Sequence, residues 1–241
     1  MTDYPALDAV LAGESDGCVI TADCLDVMRQ MPDGCVDAVV TDPPYGIGED
    51  GGLKARYRCG DGRTRGIIKH EKRTWDSGRP LDEAFAEMRR VGHLFMCFGG
   101  NYFADLLPAS SGWLYWDKRI GGDFSDGELV YTSLDMGLRS FSIHPFDGLR
   151  GGKDRQHPTQ KPVPLMVWCL GFVKTASIIL DPYCGSGTTC VAAKKLGRRW
   201  IGIEIDEKYA AIARARIAST PKPLFVEEQA ADKQLPLMEA E

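Results

Sequence analysis

The sequence predicts an α/β fold in which a mostly parallel sheet carries helices on both faces. Buried-strand patterns, such as those at 36–40 and 177–180, alternate along the chain with helical segments, and this alternation is typical of parallel sheets. The chain has 241 residues, of which 44% are hydrophobic and 26% charged. It is therefore long enough to bury a real core and has the composition of a soluble globular protein.

The first half of the chain contains short regular elements and one long irregular stretch. A short helix at 25–31 is expected to end near Pro32-Asp33-Gly34, and a helix at 102–107 should end before Pro108. Residues 46–80 follow neither a helical nor a strand period, and so long a loop is expected to be functional or mobile. The remaining patterns predict an amphipathic helix at 81–90 and strands at 18–21, 36–40, 93–98, 113–116 and 129–132.

The second half returns to a regular alternation after an irregular segment at 134–156. A helix at 164–174 has a proline in its first turn, Gly197 is suited to the residue after a helix at 190–196, and Asp206 is suited to the N-cap of a helix reaching about 218. Strands are expected at 177–180 and 200–204. We therefore predict a single domain at 1–220, with a basic mobile loop at 46–80, a small insertion at 118–156 and a flexible tail at 221–241.

Several classes of protein are disfavoured by the composition. No apolar run approaches a membrane span, and the N-terminus lacks a signal-peptide pattern, so an intracellular protein is expected. The eight cysteines include no Cys-x-x-Cys pair and no histidine partner at zinc spacing. We expect them to be reduced and mostly buried, and we expect no metal site.

The charge is unevenly distributed along the chain. The formal net charge is −5, yet residues 53–73 carry a net charge of +6, with only Asp61 and Glu71 opposing the positive side chains. A basic segment in an acidic protein is typical of a local phosphate contact, although a solvated loop is the alternative. The candidate nucleic-acid contacts are Lys54, Arg56, Arg58, Arg63, Arg65, Lys69, Lys72 and Arg73.

The tetrapeptide Asp42-Pro43-Pro44-Tyr45 directly follows the strand predicted at 36–40. Ligands of open α/β sheets bind at the carboxyl ends of strands. There, the Asp42 carboxylate and the Pro43 carbonyl could accept hydrogen bonds from one amino group, while Tyr45 packs against a flat ring. The four residues are therefore candidate catalytic residues, and a strand followed by a Pro-Pro turn is the alternative.

A second motif follows the strand predicted at 177–180. Asp181-x-x-x-Gly185-x-Gly187 leads into a helix, and the next strand ends in Glu204. Glycines let a backbone approach a ligand, and an acid at the next strand end suits a ribose diol. Because the third glycine of the dinucleotide pattern is missing, an adenosyl group without phosphates is favoured over a pyrophosphate cofactor. A structural glycine-rich turn is the alternative.

A third motif, at 157–162, reads His157-Pro158-Thr159-Gln160-Lys161-Pro162. It supplies a hydroxyl and an ammonium that would suit the carboxylate of an amino acid. Together the three motifs resemble those of the amino-methylating DNA methyltransferases that use S-adenosylmethionine. The tetrapeptide precedes the glycine motif, which resembles the permuted, beta-type order of that family. The resemblance covers about 17–218, and Tyr183 departs from it because the family usually has Phe there.

The resemblance implies a Rossmann-like methyltransferase fold with seven strands, one of them an antiparallel edge strand. It implies S-adenosylmethionine as cofactor, with Glu204 on the ribose. Asp23 would lie at the adenine end of the cofactor, although a helix N-cap is its alternative role. The cofactor-binding residues implied by the motifs are Asp23, His157, Thr159, Lys161, Asp181, Tyr183, Gly185, Ser186, Gly187, Thr188 and Glu204.

The implied partner is double-stranded DNA. Residues 46–80 would close over a flipped base and contact phosphates, and 118–156 would read the DNA sequence, with contributions from 46–80. The protein would be cytoplasmic in a bacterial or phage-infected cell. A homodimer and an accompanying restriction enzyme are both compatible with the resemblance, and the sequence decides neither.

The expected activity is direct methyl transfer to N6 of adenine in DNA, on a base flipped out of the duplex. In the family, Asp at the first tetrapeptide position favours adenine. N4-cytosine methylation is the first alternative. An RNA or protein amide methyltransferase and a catalytically silent nucleic-acid-binding subunit are the others.

Overall fold

The computed structural model describes residues 1–47, 56–58, 64–66, 78–122, 125–145 and 160–222. Eight strands of these ranges form one sheet: β1 (Gly17–Thr21), β2 (Val36–Thr41), β5 (Gly92–Phe98), β6 (Trp113–Asp117), β8 (Gly127–Thr132), β9 (Arg139–Ser142), β10 (Ile178–Asp181) and β11 (Arg199–Glu204). Their order across the sheet is β1-β11-β10-β2-β5-β8-β6-β9. Three short strands, β3 (Arg56–Arg58), β4 (Thr64–Gly66) and β7 (Gly121–Gly122), form a second sheet.

The α/β fold with a mostly parallel sheet is confirmed, but two of its predicted details are wrong. The main sheet has eight strands rather than seven. Its antiparallel strand, β8, does not lie at the edge but between β5 and β6, antiparallel to both. The edge strand is β9, which runs parallel to β6. Its four residues are mostly exposed, so they lack the apolar pattern that would have predicted a strand within 134–156.

The two faces of the main sheet are covered by different helices. Alternate residues of a strand point to opposite faces, and β5 follows this rule: Phe95 and Cys97 pack in one core, Met96 and Phe98 in the other. The first core also contains residues of three helices from the N-terminal half, and the second contains residues of three helices from the C-terminal half. The helices are α1 (Pro5–Leu11), α2 (Cys24–Met28), α3 (Asp82–Val91), α4 (Val163–Leu170), α5 (Thr188–Lys195) and α6 (Glu207–Ser219).

Several helical boundaries differ from the sequence prediction. The segment expected to be helical at 102–107 forms only a 3₁₀ turn at Gly100–Phe103. The helix α4 ends at Leu170, before the predicted 174, with Gly171 as its C-cap. The helix α1 was not predicted, although Pro5 at its first turn is a helix-start signal. Gly197 has φ 69° directly after the C-cap of α5, and Asp206 caps α6 by accepting a hydrogen bond from Lys208 N, both as predicted.

None of the helices in the described ranges is long and apolar enough to cross a membrane. In the same ranges, the seven cysteines are free, and no cluster of His, Cys, Asp and Glu could hold a metal ion.

Candidate functional site

Three acids lie at the carboxyl ends of adjacent parallel strands. Asp42 follows β2, Asp181 ends β10 and Glu204 ends β11, and β10 lies between the other two strands. The chain leaves β10 towards β11 but leaves β2 towards β5, so the two loops diverge. Such a switch point between neighbouring strands is where open α/β sheets bind ligands.

Asp42 is a largely buried acid with both of its oxygens engaged. Its side chain is 21% exposed. Tyr45 donates its hydroxyl proton to Oδ1 at 2.6 Å, and the Lys161 ammonium contacts Oδ2 at 2.7 Å. The tetrapeptide therefore lies at the end of a buried strand, as predicted, and the adjacent Pro43 is buried.

The Tyr45 ring is held by aromatic and glycine neighbours. It stacks on Tyr102, with ring centroids 4.8 Å apart and an interplanar angle of 16°, and meets Phe103 edge-on at 6.0 Å. Gly99, at φ 64°, lies so close that an added Cβ would stand 2.3 Å from a carbon of this ring. The position of Tyr45 thus depends on a glycine, and its predicted stacking on a flat base stays a prediction.

Lys161 and two residues that the sequence analysis did not single out extend this site into a buried ionic cluster. Lys161 Nζ lies 3.1 Å from Glu128 Oε2, and Lys118 Nζ lies 2.7 Å from Glu128 Oε1. The side chains of Lys161 and Glu128 are only 9% and 16% exposed. With Asp42, the cluster contains two carboxylates and two ammonium groups, so its charges balance.

The cluster shifts the pKa values of its members. Burial raises the pKa of the Asp42 carboxyl; Lys161 opposes this shift and Glu128 adds to it. Burial alone would lower the pKa of the Lys161 ammonium, but the Asp42 and Glu128 carboxylates outweigh it and raise that pKa. The two carboxylates thus favour the protonated form of Lys161 beside Asp42.

Lys161 of the third motif thus contacts Asp42 of the tetrapeptide. The structure places the Lys161 ammonium on Asp42 and Glu128, and its predicted contact with the carboxylate of a bound amino acid stays a prediction. His157 and Thr159, the other two residues predicted from this motif, lie outside the described residues. Gln160 lies 3.4 Å from the Ser186 hydroxyl, which links the motif to the glycine loop.

A cavity of about 250 Å³ opens beside the ends of β1 and β11. Three of the predicted cofactor-binding residues, Asp23, Tyr183 and Glu204, line it. The Asp23 side chain accepts a hydrogen bond from Leu25 N at 2.8 Å, so Asp23 caps α2 while also forming part of the wall. The rest of the wall is mainly apolar, formed by Ala22, Cys24, Leu25, Arg79, Pro80, Leu81, Ala84, Pro182, Ile203 and Ile205.

Glu204 also holds the glycine loop in place. Gly185 N donates to its Oε2 at 2.8 Å and Asp206 N to its Oε1 at 2.9 Å. Partial burial raises the pKa of the Glu204 carboxyl, while these two backbone donors act in the opposite direction. Each oxygen keeps a second lone pair for another donor, as a ribose diol would require.

The last part of the glycine loop packs against α6. An added Cβ at Gly187, which has φ 80°, would stand 2.9 Å from the Ala213 Cβ, so this glycine permits close helix packing. Arg216 Nη1 donates to the Ser186 carbonyl and hydroxyl at 2.5 and 2.7 Å, and lies 3.3 Å from the Thr188 hydroxyl. Ser186, Gly187 and Thr188 do not line the cavity. Their predicted cofactor contacts stay predictions.

Asp181 lies between the tetrapeptide and the glycine loop. It is 3% exposed, accepts a hydrogen bond from the Thr41 hydroxyl at 2.8 Å, and accepts a weaker one from Tyr183 N at 3.2 Å. Burial raises the pKa of this carboxyl to about 6, against the hydrogen bonds that lower it. Asp181 therefore orders the start of the loop, although it does not line the cavity.

The raised pKa of Asp181 predicts a pH-dependent stability. The native state binds this proton more tightly than the unfolded chain, in which the pKa of Asp is about 3.9. The resulting stabilisation is complete below that value and is lost as the pH rises through the native pKa of about 6. Wild type loses this stabilisation between about pH 4 and about pH 7, whereas Asp181→Asn has no carboxyl to lose it. The unfolding free energy of Asp181→Asn minus that of wild type should therefore rise by about 2–3 kcal/mol over this range.

Urea unfolding of both proteins at the two pH values measures this gain. Asp3→Asn, which removes an exposed carboxylate, is the control. If the difference between Asp181→Asn and wild type stayed constant with pH, that result would contradict the raised pKa of Asp181.

The predicted DNA contacts are only partly within the described ranges. Lys54, Arg63, Lys69, Lys72 and Arg73 lie outside them. Arg56 and Arg58 belong to β3, and Arg65 belongs to β4. The strand β3 pairs with both β4 and β7, so the described parts of the basic segment, 56–58 and 64–66, form one small sheet with residues 121–122 of the predicted insertion.

Known proteins are similar to this chain in sequence or in fold. Residues 139–215 match the family model described as DNA methylase. The Escherichia coli (strain K12) protein named "Putative methylase YubD" is 32% identical over 230 residues, which cover 85% of this chain and 92% of that protein. The Type II methyltransferase M.HpaI of Haemophilus parainfluenzae is 24% identical, over 83% of this chain and 74% of its own length.

Solved structures with lower identity show the same fold. The M1.HpyAVI–SAM complex superposes with a TM-score of 0.54 at 20% identity, over 83% of this chain and 99% of its own. TTHA0409 of Thermus thermophilus in complex with S-adenosyl-L-methionine gives 0.51 at 18%, over 84% and 94%. The PvuII DNA methyltransferase, described as cytosine-N4-specific, gives 0.53 at 15%, over 84% and 86%.

Proposed function

Because this chain belongs to the family of S-adenosylmethionine-dependent DNA methyltransferases, we propose that it methylates N6 of adenine in double-stranded DNA. The observation that carries the proposal is the placement of Asp42. It provides a carboxylate at the carboxyl end of β2, next to the aromatic ring of Tyr45. An exocyclic amino group on a flat base needs both an acceptor and a stacking surface.

The residues around the cavity fit the proposed cofactor. Glu204 offers acceptor lone pairs for a ribose diol, and the apolar wall with Tyr183 suits an adenine ring. Asp23 lies on the same wall and could accept from an adenine amino group. When bound, S-adenosylmethionine supplies an electrophilic methyl group. M1.HpyAVI and TTHA0409, which share the fold, are both known in complex with this cofactor.

The tetrapeptide would act on a base that has left the duplex. Asp42 and the Pro43 carbonyl would accept hydrogen bonds from its amino group and draw the nitrogen lone pair out of conjugation with the ring. As positive charge develops on this nitrogen, a carboxylate and a carbonyl stabilise it. Methyl transfer is then direct, and no covalent bond to the protein is needed. Positioning of the two reactants supplies much of the acceleration.

Adenine is favoured over cytosine by the first residue of the tetrapeptide. In the resembled family, Asp at this position accompanies adenine enzymes, whereas cytosine enzymes more often begin with Ser. N4-cytosine methylation is the second candidate, because its amino group needs the same acceptors and a cytosine-N4-specific enzyme shares this fold.

The test is methyl transfer from labelled cofactor to unmethylated DNA, followed by digestion to nucleosides and mass analysis. We expect N6-methyladenine, and the modified positions would then give the recognised sequence. N4-methylcytosine would replace the first candidate by the second. No modified nucleoside, with binding of S-adenosylhomocysteine established by calorimetry, would point to an RNA or protein substrate. Absence of that binding would favour a silent subunit.

A further inference from the structure

The Lys161 ammonium occupies the place on Asp42 where the target amino group is proposed to bind. It is a nitrogen donor 2.7 Å from Asp42 Oδ2, with its charge also 5.7 Å from the centre of the Tyr45 ring. A fixed cation at this point would repel the positive charge that develops on the target nitrogen. The two neighbouring carboxylates favour the protonated form of Lys161, so loss of its proton would not relieve this repulsion. Lys161 must therefore move away from Asp42 during the reaction.

Glu128 provides a second binding position for this ammonium. Its Oε1 is taken by Lys118 at 2.7 Å, whereas its Oε2 lies 3.1 Å from Lys161 Nζ. This second oxygen is buried, and no donor among the described residues is in hydrogen-bond alignment with it. A small rotation of the Lys161 side chain would complete the missing bond and release Asp42.

The supporting residues stand on a rigid part of the sheet. Glu128 belongs to β8, the antiparallel strand, and pairs in register with Trp116 of β6. Lys118 follows β6 directly, and its ammonium lies 5.3 Å from the centre of the Trp116 ring. Since β5 and β6 hold β8 from both sides, Glu128 presents a fixed acceptor towards Lys161.

We propose that Glu128 is a positioning residue for the methyl transfer: it receives the Lys161 ammonium when the target amino group takes its place on Asp42. The inference rests on the proposed function, in which Asp42 binds that amino group. In the protein without DNA, Lys161 neutralises Asp42. In the complex with DNA, Lys161 pairs with Glu128, and Asp42 accepts a hydrogen bond from the amino group of the base.

The test is a double-mutant cycle on kcat/KM for DNA. Glu128→Gln should lower kcat/KM by about tenfold to hundredfold, because Lys161 then stays on Asp42. In a Lys161→Met background the same substitution should change kcat/KM by less than about threefold. Binding of S-adenosylhomocysteine and the melting temperature report whether each variant is folded. Glu83→Gln, which removes an exposed carboxylate paired with Arg29, is the matched control.

Two results of the cycle would overturn the inference. If Glu128→Gln lowered kcat/KM by the same factor in the wild-type and Lys161→Met backgrounds, Glu128 would be merely structural. The second is a wild-type kcat/KM in Glu128→Gln. Should Glu128→Gln fail to fold, Glu128→Asp keeps the charge and is expected to retain roughly half or more of the wild-type kcat/KM for DNA. A loss of kcat/KM as large as that expected for Gln would count against the inference. If wild type methylates no DNA, the proposed function fails first, and the inference falls with it.

Discussion

Asp42→Asn is expected to abolish methyl transfer, with a loss in kcat of at least about 10²–10³-fold, because it removes the charge that stabilises the developing ammonium. An amide also presents an NH₂ group, which would repel both the target amino group and Lys161. Cofactor affinity should survive, since Asp42 does not line the cavity beside Glu204. Single-turnover methylation and calorimetric titration with S-adenosylhomocysteine measure the two quantities separately.

The interpretation needs a control for stability, because Asp42 belongs to a balanced buried cluster. Without its charge, Lys161 and Lys118 share Glu128 alone, and the variant should melt at a lower temperature. Assays are therefore run well below the melting temperature. Asp3→Asn removes an exposed carboxylate and should leave both kcat and affinity unchanged. Near-normal rates for Asp42→Asn would show that the acceptor is another group.

The strand-end acids of the site and the N-cap of α6 could be predicted from the sequence because each depends on a short run of neighbouring residues. Asp42 and Glu204 stand at the ends of apolar strand patterns, and Asp206 has the side chain of a helix N-cap. Parallel strands end at one edge of a sheet, so motifs that are far apart in sequence can converge there. The structure brings these acids to adjacent strands, as that reasoning requires.

The ionic cluster could not be predicted in the same way. Glu128 lies in a strand whose polar and apolar residues do not reveal which face is buried, and its partner Lys118 lies on a neighbouring strand end. The pairing depends on the register between β6 and β8, which no local pattern encodes. One signal was present: Glu128 directly precedes the apolar run Leu129-Val130-Tyr131, and a charged residue that is buried usually needs a partner.

The roles of the two glycines in the glycine motif could also be predicted only in part from the sequence. Gly185 and Gly187 were both expected to let the backbone approach a ligand. An added Cβ at Gly185 would meet open space, whereas at Gly187 it would meet Ala213 of α6. A glycine needed for helix packing and a glycine needed for a ligand look the same in one sequence. The distinction rests on which helix lies behind the loop, and that is a tertiary property.

Glu204→Gln is expected to weaken binding of S-adenosylhomocysteine by about tenfold to hundredfold, since hydrogen bonds to a charged acceptor contribute about 1.5–3 kcal/mol. The amide keeps one acceptor oxygen but turns an NH₂ group towards either Gly185 N or Asp206 N, each of which needs an acceptor. The glycine loop should therefore loosen as the ribose contact is lost. Calorimetry gives the affinity, and kcat at saturating cofactor should fall much less than kcat/KM for the cofactor.

The matched control is Glu207→Gln, three residues further along the chain. Glu207 lies on the exposed side of α6, where it contacts Arg214 and accepts from the Thr21 hydroxyl. It has the same charge but does not line the cavity. An equal loss of affinity in both variants would mean that the general negative potential at this edge, rather than a hydrogen bond from Glu204, holds the cofactor. A loss confined to Glu204→Gln would place the ribose at the end of β11, one strand away from Asp181 and two from Asp42.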